Sequence, residues 1–345
     1  MSHCQRLSQP RAHHSDTTLG VLQLAGPALL GKLEVPPEEA RLQGRRHSLA
    51  RDRAAISHHY DISNRFYELL LGPAMTYSCA YWKPGVTTLE EAQAAKHDLI
   101  ATKLALKPGM RLLDVGCGWG TLARHAAERY GVQAVGITLS VRQVEWAQRA
   151  VGAESSAGGR PVTIRLQDYR EVADGPYDAI SSVGMFEHVG RSRLQTYFER
   201  LYDLLAPGGR LLNHAISALP RTGARQPTND FPSLVPRWLL RRPTGFDRDS
   251  FIDRYVFPDG ELIEVGEVVS AMQAVGFEVL HVESLRQHYG PTLRAWVANL
   301  EAHWDEAVAA VGERRARIWR LYLAASARTF ETGRTAVHQV LGQKP

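Results

Sequence analysis

The chain has 345 residues, 44% of them apolar and 22% charged, with 41 basic against 36 acidic side chains for a formal charge of +5. A chain of this size buries a core without help from disulfides or metal. Its sparse, odd set of three cysteines (Cys4, Cys79 and Cys117) excludes a secreted disulfide scaffold and reads as reducing cytoplasm. No uncharged apolar run approaches the ~20 residues that cross a bilayer and no signal-peptide core opens the chain, which excludes an integral membrane protein.

Residues 1–54 differ from the rest and are expected to form a partly disordered leader. The opening MSHCQRLSQPRAHHSDTT is polar and aperiodic, and 21–33 is apolar but broken by Gly26, Pro27 and Gly31. Charge dominates 38–53, where Arg41, Arg45, Arg46, Arg51 and Arg53 stand close together. Such a segment suits a solvated helix, or docking on anionic lipid.

Strands and helices alternate through 110–216. MRLLDVG is a short apolar strand ending in glycine, 121–130 has helical spacing, AVGI is a second strand, and 140–151 opens like a capped helix. VTIRL, YDAISSVG and RLLNHAI read as three further strands, with a helix over 194–205 ending at Pro207-Gly208-Gly209. That alternation predicts an α/β fold with a doubly wound, mostly parallel sheet. Regularity lapses over 217–265, where prolines recur at 220, 227, 232, 236, 243 and 258; this stretch is expected to be a lid insertion. A helix and a strand follow (VGEVVSAMQAVGF, EVLHVESL), and two charged amphipathic helices are predicted over 291–311 and 313–341. Length alone suggests about two domains; the pattern predicts one domain over 55–345 behind the leader.

Asp114-Val-Gly-Cys-Gly-Trp-Gly120 follows a strand and opens a helix. Glycines there let the backbone approach a ligand at a helix N-terminus, outside the carboxyl ends of the strands. A dinucleotide site wants G-x-G-x-x-G, whereas these glycines fall at 116, 118 and 120. The D-x-G-x-G-x-G form resembles the first motif of class I S-adenosylmethionine-dependent methyltransferases, whose Rossmann-like fold the alternation fits. In that family a carboxylate near the adenine amine stands where this chain has Asp168, though Asp168 alone also suits a helix cap. Many members place an acid at the end of the second strand for the ribose hydroxyls. Here that place reads Gly136-Ile-Thr138-Leu139-Ser140, with Gln143 one turn on. Neutral hydroxyl and amide groups make the same hydrogen bonds and tell against a nicotinamide cofactor.

Further motifs narrow the family. They are His59-Tyr-Asp-Ile-Ser63, Thr76-Tyr-Ser-Cys-Ala-Tyr-Trp82, Thr88-Leu-Glu-Glu-Ala-Gln-Ala-Ala-Lys96, Gly184-Met-Phe-Glu-His-Val-Gly190, Leu212-Asn-His-Ala-Ile216, Tyr255-Val-Phe-Pro-Asp-Gly260 and His288-Tyr289. Together they resemble the cyclopropane fatty acid synthase family, including the mycolic acid cyclopropane synthases. The resemblance implies that an alkene carbon of a lipid acyl chain attacks the sulfonium methyl, leaving a carbocation. The former methyl then loses a proton as the ring closes, and in this family a bound bicarbonate is understood to be the base. Matching its contacts residue by residue gives Cys79, Glu187, His214, the backbone of Ile216, and Tyr289. The cofactor set carried over is Tyr77, Ser78, Asp114, Gly116, Cys117, Gly118, Gly120, Thr138, Leu139, Gln143, Gln167 and Asp168; no metal site is read.

Taken singly these residues have plainer readings: Cys79 as a small buried hydrophobe, His214 as a satisfied core histidine, Glu187 as a cap, Tyr289 as core. The set in the right order is what points to chemistry. Tyr60, Tyr81, Phe186 and Phe257 are candidates to shelter the cation, since aromatic faces stabilise a nearby cation by roughly 0.5–2 kcal/mol each. Two departures stand out. Ser326 occupies a place where some relatives carry a cysteine, which argues against a covalent cysteine there. Only about 55 residues precede His59, fewer than in many phospholipid cyclopropane synthases, which weakens a dedicated membrane-docking domain. The expected acceptor is an unsaturated phospholipid acyl chain, met at the inner face of an anionic membrane with help from Arg237, Arg241 and Arg242. Rival outcomes are a methyl-branched or methylene lipid after a hydride shift, methylation of a natural-product carbon or nitrogen, and a fold kept for binding alone. Nucleic acid is not an expected partner, because the basic residues are not interleaved with aromatics.

Overall fold

The structure, a computed structural model, describes residues 35–155, 162–218 and 250–345. Three helices precede the first strand: α1 (Leu49–Tyr60), α2 (Asn64–Leu71) and α3 (Leu89–Lys103). α3 starts where Thr88 and Glu91 close a capping box, and it turns Ala92, Ala95, Lys96 and Ile100 inward. The central unit then runs β1 (Arg111–Val115), α4 (Thr121–Tyr130), β2 (Gln133–Thr138), α5 (Val141–Ser155), β3 (Val162–Leu166), β4 (Tyr177–Val183), α6 (Leu194–Leu204) and β5 (Leu205–Ala218). These five strands pair in parallel in the order β3-β2-β1-β4-β5. The order reverses beside β1, so a crevice opens at the carboxyl ends of β1, β2 and β4, which is where such sheets bind ligands.

After β5 come α7 (Phe251–Tyr255), β6 (Ile263–Glu264), α8 (Val265–Val275), β7 (Glu278–Ser284), α9 (Arg286–Ala302), α10 (Trp304–Val311), α11 (Glu313–Glu331) and β8 (Thr335–Gln343). β6 adds to the end of β5. β8 lies antiparallel between β5 and β7. An aromatic-rich core joins α2, α9 and α11 through Phe66, Tyr67, Trp296 and Trp319. A second core seats α6 and α8 on one face of the sheet, and a third seats α4 on the other.

The α/β fold, its mostly parallel sheet and the helix-then-strand pair at α8 and β7 agree with the sequence reading; three other expectations need correction. The predicted helix over 313–341 stops at Glu331, and its last part is β8. Ala336, Val337, Val340 and Leu341 mimic helical spacing, but both faces of this strand are buried, so alternation is absent. The predicted helix over 291–311 starts earlier, at Arg286, and breaks at His303 between α9 and α10. The leader does not end at residue 54: α1 spans that boundary, and the described residues from Ala40 onward belong to one unit. Residues 35–39 hold a turn in which the Glu39 N–H donates to the Pro36 carbonyl. Most of the expected lid, 219–249, lies outside the described residues, as do Cys4, Arg237, Arg241 and Arg242 and the segment expected to be disordered. From residue 250 the chain is ordered into α7 and β6.

The strand assignment of the C-terminus has a test whose sign decides it. Val340 is buried, so Val340→Ala should destabilise by about 2 kcal/mol, read as a lower urea midpoint at unchanged slope. In a helix the same change would bring a gain in propensity of about 0.6 kcal/mol.

Candidate active site

The turn after β1 is built by an acid and its glycines. The buried Asp114 carboxylate accepts from the Ser181 hydroxyl at 2.7 Å, and burial pushes its pKa up to about 6. Gly116 has φ +76°, and a Cβ there would stand 2.7 Å from Cβ of Met185, so a side chain is excluded twice over. Gly120, at φ +77°, opens α4 and lets it approach Ile164, where a Cβ would meet Cδ1 at 3.1 Å. Gly120 packs against Ile164 behind the residues that border the cavity.

The other eleven residues expected around the cofactor line one cavity of about 130 Å³ at the carboxyl ends of the strands. At the end of β2 the Thr138 hydroxyl donates to Gln143 Oε1 at 2.6 Å, a neutral pair where many class I enzymes carry an acid. Asp168 both caps a short helical turn and faces the cavity, and its carboxylate is gripped by Arg170 at 2.7 and 2.8 Å. Arg170 also reaches Asp52 of α1 at 2.9 Å.

Sequence reasoning missed several walls of this cavity. Lys96 and His97 enter from α3, His47 and Asp52 from the segment assigned to the leader, and Ile56 from just beyond it. Lys96 is buried, donates to Ser78 Oγ at 2.9 Å, and is pushed down to about 8 by burial, against which Asp114 pulls. A lysine on the apolar stripe of α3 was the available signal. The α1 segment is tied down by ion pairs that no local pattern announces. Arg46 and Arg51 meet Asp259 at 2.9 and 2.5 Å, so two of the five clustered arginines are committed within the protein.

A second cavity, about 30 Å³, is lined by all five residues expected around the base: Cys79, Glu187, His214, Ile216 and Tyr289. At about 10–15 Å³ per water-sized group, it holds only a few heavy atoms. Cys79 comes from the loop before α3, Glu187 from a turn after β4, Tyr289 from α9. His214 and Ile216 are two apart on β5 and so share a face. The Ile216 N–H donates to Glu187 Oε1 at 2.7 Å. Oε2 of Glu187 is buried without a partner, and burial pushes the carboxyl up to about 7. Burial also keeps the Cys79 and Tyr289 protons on and the His214 ring neutral, the last pushed down to about 3. The site therefore combines an acceptor oxygen with thiol, phenol and imidazole groups.

Of the aromatic candidates, Tyr60 and Phe257 line this small cavity. Phe186 does not: it packs on Tyr197 and Phe198 in the core beside α6. Tyr81 packs at a tilt against His288, 4.7 Å between ring centres, and also stands outside. Their places are taken by Tyr77 and by Tyr322 of α11, whose hydroxyls are 3.3 Å apart. Nothing in the α11 pattern separated Tyr322 from its core neighbours Trp319 and Leu323. Ser326 borders neither cavity. Tyr60, Tyr77, Ser78 and Gly184 belong to both linings and form the partition across which a group would pass.

The family model for mycolic acid cyclopropane synthetase matches residues 47–340. The chain is 46% identical over 315 residues to a probable fatty acid methyltransferase of Mycobacterium tuberculosis, covering 90% of this chain and 68% of that one. The cyclopropane synthase MmaA2 of the same organism superposes with a TM-score of 0.74 at 35% identity, over 85% of this chain and 98% of that one. Mycolic acid cyclopropane synthase CmaA1, solved with SAH and CTAB, gives 0.74 at 37% identity over the same shares.

The burial of Glu187 predicts a stability difference with a definite sign. Its pKa in the fold, about 7, lies above the ordinary 4.5, so its stabilising contribution is full below 4.5 and lost as pH rises through 7. Glu187→Gln keeps an oxygen for the Ile216 N–H. It should melt above the wild-type protein at pH 8.5, with the gap closing by pH 5, as followed by thermal unfolding.

Proposed function

Because the chain belongs to the mycolic acid cyclopropane synthetase family of S-adenosylmethionine-dependent methyltransferases, we propose that it adds a methylene unit across the cis double bond of an unsaturated phospholipid acyl chain. The product is a cyclopropane, and bound bicarbonate is the general base. One observation carries this reading. Cys79, Glu187, His214, Ile216 and Tyr289, scattered over more than two hundred positions, border one small cavity that shares a wall with the glycine-turn cavity.

S-adenosylmethionine, when bound, supplies an electrophilic methyl on its sulfonium. The residues that would hold it fit its groups: Asp114 for the amine, Lys96 for the carboxylate, Thr138 and Gln143 for the ribose hydroxyls, Asp168 for the adenine amine. The alkene carbon forms a bond to the methyl as the carbon–sulfur bond breaks, and the second alkene carbon is left cationic. Tyr60, Tyr77, Phe257 and Tyr322 wall off that charge from water and offer it their ring faces. Loss of a proton from the former methyl lets its electron pair close the ring. Bicarbonate held there would supply the base for that proton, being small enough to reach where no side chain does. Ionised Glu187 accepts its hydroxyl proton, while the His214 and Tyr289 donors hold its oxygens.

The names of the relatives, a fatty acid methyltransferase and cyclopropane mycolic acid synthases, support a lipid acceptor. Arg45 and Arg53 are exposed and suit contact with anionic headgroups, a smaller basic face than composition implies. Among the described residues no helix is long and apolar enough to cross a membrane.

Incubation with S-adenosylmethionine and oleoyl phospholipid should yield a lipid heavier by one methylene unit, with ring protons at high field. A methyl-branched product, or binding to anionic vesicles that is absent at low salt, would overturn the corresponding part of the reading. Glu187→Gln and Tyr289→Phe should each lower turnover about 100-fold while S-adenosylmethionine affinity stays near wild type; equal loss of both would contradict the assignment. Turnover should rise as pH passes about 7, where Glu187 ionises, and should fall in bicarbonate-depleted buffer.

A further inference from the structure

His214, Gln339 and Glu283 form one row across three strands. The registers pair His214 of β5 with Gln339 of β8, and Gln339 with Glu283 of β7. Lys103, the last residue of α3, joins the last two: its Nζ donates to Gln339 Oε1 at 2.6 Å and to the Glu283 carboxylate. Gln339 itself is fully buried.

The direction of each hydrogen bond follows from chemistry. An ammonium only donates, so Gln339 must turn its oxygen toward Lys103 and its amide nitrogen toward His214. That nitrogen stands 3.1 Å from His214 Nδ1. An amide NH₂ only donates, so Nδ1 must present its lone pair, and the one proton of the neutral ring sits on Nε2. With Nδ1 occupied, Nε2 is the nitrogen left for the small cavity that His214 borders.

We infer that Gln339, oriented by Lys103 and Glu283, is a positioning residue that locks His214 as the Nε2–H tautomer and so keeps a hydrogen-bond donor turned to the small cavity. This rests on the reading of that cavity as an oxyanion site. The opposite tautomer would present a lone pair to an anion's oxygen and repel it. The wiring leaves His214 neutral, so the donor is supplied without a buried positive charge that would lower the basicity of the bound anion.

Histidine-labelled enzyme tests this by long-range proton–nitrogen correlation, the His214 signals being assigned through their loss in His214→Asn. Wild-type protein should carry the proton on Nε2, with Nδ1 at the shift of a bare nitrogen. Lys103→Met releases the amide to flip, so the Nδ1–H form should appear. Gln339→Glu sets an acceptor opposite Nδ1 and should put a proton there throughout. Turnover of both variants should fall about tenfold or more, as for loss of an orienting partner, with KM for S-adenosylmethionine near wild type. A proton on Nδ1 in the wild-type protein overturns the inference even where a variant fails to fold, and so does a Lys103→Met spectrum identical to wild type. The underlying reading of the cavity fails separately, if depleting and restoring bicarbonate leaves turnover unchanged.

Discussion

The seating of β8 between β5 and β7 is the constraint from which the active site hangs. β5 delivers His214 and Ile216, and without β8 it would be an edge strand with a row of unpaired backbone groups. The antiparallel ladder runs from Arg210 opposite Gln343 to Ala218 opposite Thr335 and so pairs the segment that carries His214 and Ile216. A slip of one residue would turn Gln339 to the other face of the sheet and leave His214 opposite a different side chain. Backbone pairing at the end of the chain therefore sets side-chain chemistry at its middle.

A second theme is electrostatic. Burial drives the ionisable groups of the site toward their neutral forms: Glu187 to about 7, Asp114 to about 6, Lys96 to about 8, His214 to about 3. A buried charge is costly until something compensates it. The proposed ligands bring the compensation: a cationic sulfonium and an amino-acid head in the large cavity, a small anion in the other. The orphaned Glu187 Oε2 is the clearest sign of a missing partner, because buried polar atoms in native proteins are rarely left unpaired. Tyr60, Tyr77, Ser78 and Gly184 border both cavities and keep them adjacent.

Legibility varied with how local the cause was. The β1 turn could be read because φ-positive glycines and a preceding acid are written consecutively. The parallel sheet could be read because its strands and helices have different periods. β8 could not, since a strand buried on both faces loses alternation, and its valines fell at helical spacing. The Thr332-Gly333-Arg334 break and the β-branched Thr335, Val337 and Val340 were the only hints. Phe186 and Tyr322 exchanged roles for a similar reason: an aromatic residue's motif does not reveal which side of its backbone faces the cavity. The basic run before residue 54 was visible as charge, but its pairing with Asp259 spans some two hundred residues and left no local trace.

The amino-acid sequence by itself determined the α/β architecture and the glycine turn, because these follow from periodicity and backbone freedom; the roster of residues expected around the two cavities came from the resemblance of its motifs to a known family. Tertiary structure alone decided which members of that roster meet. It packed Gly120 against Ile164, gave the Ile216 N–H to Glu187, brought Lys96 and α1 into the cavity wall, and set Gln339 behind His214. Hydrogen bonds and burial act over ångströms between residues far apart in the chain, and their directions are fixed only when strand register and helix docking are complete.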